Sequence, residues 1–186
     1  VNHAFQYGSE DLVEAYVDAG HALDVATAAR LGRAEQLAEM LLEGADPYEP
    51  SPNGSAPFAE AIKNDQVEVV QVFLDHGVDP GEPLPTWDKK FPLHVAAERN
   101  NSALALMLLE GGADPNQVDT VGRSPLYEAV VSGREDTVRV LLQYGADPNV
   151  APSGEDLLDA TRSESLRKLL EDHGAISKAG PSPVTQ

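Results

Sequence analysis

The sequence contains no cysteine. Disulfide staples, thiolate nucleophiles and cysteine-based zinc sites are therefore excluded, while reducing and oxidising compartments both stay open to the chain. Aromatic residues make up only 5% of it, with a single tryptophan, and Leu and Ala dominate the periodic segments, which favours helices. Basic residues are scarce as well: 13 Lys and Arg stand against 31 Asp and Glu, a formal net charge of −18. Phosphate affinity needs clustered cations, so nucleic acid and anionic membrane are disfavoured as partners. Such a charge favours solubility and weak self-association, and a monomer is expected. Long hydrophobic runs are missing too. No apolar stretch approaches the roughly 18 residues of a membrane span, and no signal peptide is visible. The chain begins at Val1 rather than Met, which leaves two expectations open: a cytoplasmic protein, or an exported or periplasmic one whose leader has been removed.

What the chain does have is a register of glycines. Its 186 residues, 41% hydrophobic and 24% charged, suffice for one domain with a sizeable core. Gly20, Gly44, Gly77, Gly112, Gly145 and Gly174 each close a Leu-, Val- or Ala-rich run, at intervals of 24, 33, 35, 33 and 29 residues. Glycine there supplies the left-handed residue that ends a helix. A period near 33 signals an array of repeated units.

The apolar spacing predicts helices over 8–20, 25–31 and 34–42, the last with Leu37, Met40 and Leu41 inward. A short helix starts at Ala56-Pro57-Phe58, and its partner over 67–74 turns Val69, Val70, Phe73 and Leu74 to the core. Two more runs fill 91–110, another pair follows Ser124 with Val138, Leu141 and Leu142 inward, and a smaller pair covers 157–160 and 166–170. That last pair is more polar, as a terminal repeat with one face in water must be. The longest loop, 78–90, carries Pro80, Pro83, Pro85 and Trp87.

Several motifs recur in this register. Turn-helix starts read Ala56-Pro-Phe-Ala-Glu-Ala, Phe91-Pro-Leu-His-Val-Ala-Ala and Ser124-Pro-Leu-Tyr-Glu-Ala-Val-Val-Ser-Gly; loop entries read Gly44-Ala-Asp-Pro, Gly77-Val-Asp-Pro, Gly112-Ala-Asp-Pro and Gly145-Ala-Asp-Pro. Over about residues 2–175 the chain resembles the ankyrin-repeat family. The resemblance implies an all-α repeat solenoid of stacked helix-turn-helix ankyrin repeats, with β-hairpin-like connecting loops and terminal caps. It implies a single ankyrin-repeat domain over 1–175: an N-terminal helical cap and first repeat at 1–43, central full repeats at 44–149 and a C-terminal capping repeat at 150–175. Residues 176–186 carry no periodic pattern and are expected to be a disordered tail.

Two departures from the family pattern matter. Its threonine before Pro-Leu-His is replaced by Ala56, Phe91 and Ser124, of which only Ser124 can imitate the hydroxyl. Asp65 and Asn100 stand where the glycine between paired helices is usual, and both side chains tolerate a left-handed backbone.

Catalytic chemistry finds little support. The five histidines make no close metal pair. The resemblance implies a structural hydrogen bond for His94; His76 and His173 precede terminal glycines and are expected to cap helix C-termini. Glu10/Asp11 and Glu155/Asp156 read as helix-start charges, and Asp46, Asp79, Asp114 and Asp147 as turn formers. No nucleophile elbow or phosphate-cradling motif occurs, so the chain is not expected to be an enzyme and no cofactor is implied.

Surface recognition remains. The resemblance implies binding through loop tips and the exposed side of the short helices, which line a concave groove. The partner-binding residues expected on that basis are Lys63, Trp87, Asp88, Lys89, Lys90, Glu98, Arg99, Val121 and Arg123. Trp87 is either an interface anchor or a side chain folded back on its own repeat. Five of the 13 basic residues fall in this set, either a basic or mixed groove or ordinary interspersion of charge. The expected function is a non-catalytic protein–protein interaction module, a scaffold or adaptor, whose partner protein presents an acidic or mixed patch. The alternative is an inhibitor or immunity-type protein that blocks a partner enzyme with the extended Trp87 loop.

Overall fold

Three prolines open three helices. Pro57, Pro92 and Pro125 occupy the first turn of Pro57–Lys63, Pro92–Arg99 and Pro125–Val131, where a missing N–H leaves no hydrogen bond unmade. The computed structural model describes residues 23–50, 54, 56–84, 90–153 and 155–177. The helix expected over 8–20 and residues 178–186 of the expected tail lie outside them.

Among the described residues there are ten helices and no strand. They are α1 (Val25–Arg30), α2 (Ala34–Leu42), α3 (Pro57–Lys63), α4 (Val67–Asp75), α5 (Pro92–Arg99), α6 (Ser102–Glu110), α7 (Pro125–Val131), α8 (Glu135–Gln143), α9 (Leu157–Ala160) and α10 (Glu164–Asp172). They pair in order, a shorter helix followed by one of nine residues. Within each of the first four pairs the backbone turns from one helix to the next through a left-handed residue: Gly32, Asp65, Asn100 and Gly133 have φ of 73°, 53°, 61° and 67°. Asp65 and Asn100 thus do the work of glycine, as their side-chain chemistry allows.

The described residues fall into two compact units, one within 23–78 together with Leu84, the other formed by 79–83 and 90–177. In the first, α1 packs on α3 and α2 on α4. In the second, α5 packs on α7 and α7 on α9, with α6 on α8 behind them. The shorter helices are buried almost all round, with fully buried alanines such as Ala28, Ala61, Ala96 and Ala129. A side chain of one methyl lets neighbouring helices approach closely. The longer helices bury one stripe each, Leu37 and Leu41 in α2 and Val69, Val70 and Phe73 in α4. Met40 and Leu74, expected inward, stand at the stripe's edge and are only half-buried.

Loop side chains satisfy the backbone around each turn. Asp46, Asp79, Asp114 and Asp147 each accept, through Oδ1, the N–H two residues on, at 2.7–2.9 Å. His76 and His173 cap the ends of α4 and α10, each Nδ1 lying 2.8 Å from the carbonyl four residues back. Where the resemblance implies a β-hairpin, the 112–123 loop forms a tight turn, closed by the Asp119 N–H donating to the Arg123 carbonyl at 2.9 Å.

Neighbouring repeats are tied by hydrogen bonds in the same register. The Gln66 amide donates to the Arg30 carbonyl at 3.3 Å, and Arg134 Nε to the Glu98 carbonyl at 3.3 Å. Asn116 makes a two-sided clamp: its Nδ2 donates to the Gly145 carbonyl at 3.1 Å and its Oδ1 accepts the Asp147 N–H at 2.7 Å. Asn149 repeats this with the Gly174 carbonyl and the Ile176 N–H, so the last tie reaches one residue past the expected boundary at 175. Asn116→Ala removes both bonds of one clamp and is expected to destabilise the protein by about 1 kcal/mol. Urea unfolding measures this directly, and an unchanged midpoint would show that the clamp contributes nothing.

Candidate partner-binding site

Lys90 and Arg123 precede α5 and α7, one repeat apart, and both reach Glu128 in the middle of α7. Lys90 Nζ lies 2.8 Å from Glu98 Oε2 and 4.0 Å from Glu128 Oε1; Arg123 lies 3.3 Å from that same Glu128 oxygen. The Arg123 guanidinium also stands 5.7 Å above the centre of the Tyr127 ring, a cation–π distance. The Tyr127 hydroxyl donates to Glu155, which precedes α9. A seam of ion pairs, continued by the Tyr127–Glu155 hydrogen bond, therefore crosses three successive repeats.

Glu128 is buried, at 6% exposure. A buried carboxylate needs partners to offset its lost hydration, and it has a cation from each of two repeats. Burial opposes the charge on Lys90, but the hydrogen bond and charge of Glu98, with Glu128 and Asp119 beyond, outweigh it and raise its pKa above the ordinary lysine value. The hydrogen bond to Glu155, then burial and the Glu155 charge, raise the Tyr127 hydroxyl above its ordinary value.

The expected site residues divide as follows. Lys90, Glu98 and Arg123 come together through Glu128. Arg99 is exposed at the end of α5, and Val121 stands 62% exposed at the tip of the 119–123 turn. Val131, at the end of α7, adds a second apolar side chain at 52% exposure. Lys63 belongs to the other unit, where it lies 3.9 Å from Glu60. Trp87, Asp88 and Lys89 lie outside the described residues.

Sequence reasoning missed Glu128, Tyr127 and Glu155 as members of this site. One signal was there to find. Glu60 and Glu128 both stand four residues after the turn residue of their repeats, at Ala56 and Ser124, and both are buried beside cations. Glu155 was read as a helix-start charge. In the structure Asp156 takes that place, accepting the Asp159 N–H at 2.7 Å.

The turn that carries Val121 is held on both sides. Asp119 Oδ1 accepts the N–H groups of Val121 and Arg123, each at 2.9 Å. Ser124 caps α7, accepting the Tyr127 N–H at 3.2 Å, and its hydroxyl donates to the Val150 carbonyl of the next loop at 3.1 Å. Ser124 thus does what the family's threonine would. Among the described residues no group of three or more His, Asp or Glu is placed to hold a metal ion. No helix among them is long and apolar enough to cross a membrane.

The sequence profile of the ankyrin repeats (3 copies) matches residues 25–119 and 88–151. The chain belongs to the ankyrin-repeat family. It is 37% identical over 82 residues to BCL-6 corepressor-like protein 1 of Homo sapiens, covering 44% of this chain and 5% of that protein. It is 32% identical over 126 residues to ankyrin repeat and SOCS box protein 11 of Danio rerio, covering 66% of this chain and 41% of that one. A putative ankyrin repeat-containing protein of Treponema pallidum is 30% identical over 129 residues, covering 63% and 41%. The chain spans less than half the length of each of these curated relatives. Ankyrin repeats generally bind other proteins and are generally non-catalytic, and this chain carries them as a protein-interaction module.

Proposed function

We propose that the protein is a non-catalytic scaffold or adaptor whose second unit binds a partner protein along the seam from Lys90 to Glu155. The observation that carries this is the state of Val121 and Val131. Both are large, apolar and exposed, yet Asp119 and Ser124 fix the turn that bears Val121, and backbone bonds from the Ser132 and Gly133 N–H groups close the helix end that bears Val131. A rigid backbone presenting apolar side chains beside charges loses little entropy on binding. Lys90 and Arg123 already have carboxylate partners, so the seam offers a mixed surface rather than a purely basic one. A partner with a mixed patch suits it. Trp87, Asp88 and Lys89 are proposed to extend this surface, and Lys63 to belong to a corresponding rim on the first unit.

Affinity capture on immobilised protein, with the retained proteins identified by mass spectrometry, tests the reading when variants run beside the wild type. Val121→Asp and Lys90→Glu are each expected to weaken capture of a specific partner at least about tenfold, the loss typical of an interface residue worth more than 1 kcal/mol. If both variants, and Trp87→Ala, retain the same partner at wild-type strength, the site is wrongly placed. A captured enzyme whose activity falls on binding would instead favour the inhibitor.

A further inference from the structure

His94, in the first turn of α5, is completely buried. Its Nε2 lies 2.9 Å from the Arg123 carbonyl. A carbonyl only accepts, so Nε2 carries the proton and Nδ1 presents a lone pair. Nδ1 is itself buried and has no hydrogen-bond partner. The sequence shows why. Three residues earlier stands Phe91, at the position where the next repeat has Ser124. Phe91 brings a ring, 5.7 Å from the imidazole centre, and no hydroxyl. Only the neutral imidazole suits these surroundings, since a protonated ring would aim a second N–H at a place without an acceptor.

The Arg123 carbonyl also accepts the Asp119 N–H that closes the 119–123 turn. The His94 bond therefore ties that closed turn, with Val121 at its tip, to α5.

We propose that His94 is an acid-sensitive latch on the 119–123 turn: neutral, it holds the Arg123 carbonyl, and protonated, it leaves its place and frees the turn. The charges around it pull both ways. Burial opposes the cation most and Lys90 repels it, while the Arg123 carbonyl, Asp119 and Glu128 favour it. Burial prevails, and the pKa lies below the ordinary histidine value of 6.5. Below 6.5 the opened ring binds a proton more readily than the latched one. The latch is therefore at full strength above about pH 6.5 and is lost as pH falls through the lower, latched-state pKa. This inference concerns the turn alone and stands whether or not the seam binds a partner.

The test uses the whole chain without any partner. Imidazole 15N shifts between pH 7.5 and 5.0 report the tautomer and titration of His94. Amide exchange over the same range, corrected for intrinsic rates, reports opening of the turn. The expected result is an Nε2–H tautomer at pH 7.5, titration below 6.5, and protection at Asp119, Val121 and Arg123 falling by up to about tenfold per pH unit, while Leu104 and Leu108 in α6 keep theirs. In Phe91→Thr a hydroxyl can accept from Nδ1–H, so the pH response of the turn should shrink. A ring that titrates at 6.5 or above, or turn protection that stays constant while His94 gains its proton, would overturn the latch. So would a loss of protection shared equally by α6.

Discussion

Phe73→Ala is expected to lower stability by about 3–5 kcal/mol, the range for truncating a fully buried phenylalanine. Phe73 is 0% exposed. It lies on α4 with Val69 and Val70, and its ring meets that of Phe58 on α3 edge to face, at 5.7 Å and 87°. The sequence has four phenylalanines, five tyrosines and one tryptophan, and this contact packs two of the four phenylalanines ring against ring. Removing the ring forfeits its transfer from water and leaves a cavity. It also removes the edge contact, which adds about 0.5–1.5 kcal/mol beyond area. The backbone bond from the Val78 N–H to the Phe73 carbonyl should survive, since it does not involve the side chain. Phe73→Leu refills much of the volume and should cost clearly less. Urea unfolding of both variants, followed by far-UV circular dichroism, gives the comparison. A loss below about 1 kcal/mol for Phe73→Ala would mean that α3 and α4 do not close on this ring.

Much of the helical framework was legible because it rests on local chemistry. A helix-ending glycine, a first-turn proline and an i, i+1, i+4 stripe each act within a few residues. Thus 34–42 and 67–74 became Ala34–Leu42 and Val67–Asp75. Asp65 and Asn100 could be read as left-handed from their side chains alone. Depth of burial was less legible: spacing names a face, but whether Met40 or Leu74 lies at its centre or its edge depends on the neighbouring repeat. The charge seam was least legible for the same reason. Lys90 and Arg123 could be seen as basic residues near a rim, yet what they face is Glu128, which only the stacking of α5 on α7 brings to Lys90. Glu155 looked like a helix-start charge until Tyr127, one repeat earlier, gave it a different partner. The unsatisfied Nδ1 of His94 follows from a visible substitution, Phe91 for a hydroxyl residue, but its burial depends on how the neighbouring repeat covers it.

Leu108→Ala is expected to cost about 2–5 kcal/mol, and the control beside it makes the result specific. Leu104, Ala105, Leu108 and Leu109 form the buried face of α6, with Leu108 at 0% exposure. Leu106, two residues earlier on the same helix, is 36% exposed. Leu106→Ala removes the same atoms from a position open to solvent on one side, leaves no closed cavity, and should cost clearly less, about 1 kcal/mol. Helix propensity cannot produce that contrast, because both substitutions replace leucine by alanine within one helix. The Ala113 N–H bond to the Leu108 carbonyl, at 2.9 Å, closes the helix end and is independent of the side chain. What remains is packing of α6 against α5 and α8. In a repeat array that packing is both the core of one repeat and its interface with the next, so a cavity at Leu108 weakens two pairings at once and should fall toward the upper part of the range. Urea unfolding of the two variants decides it. Equal losses at Leu106 and Leu108 would place the buried face of α6 elsewhere, and with it the support behind the seam that α5 and α7 present.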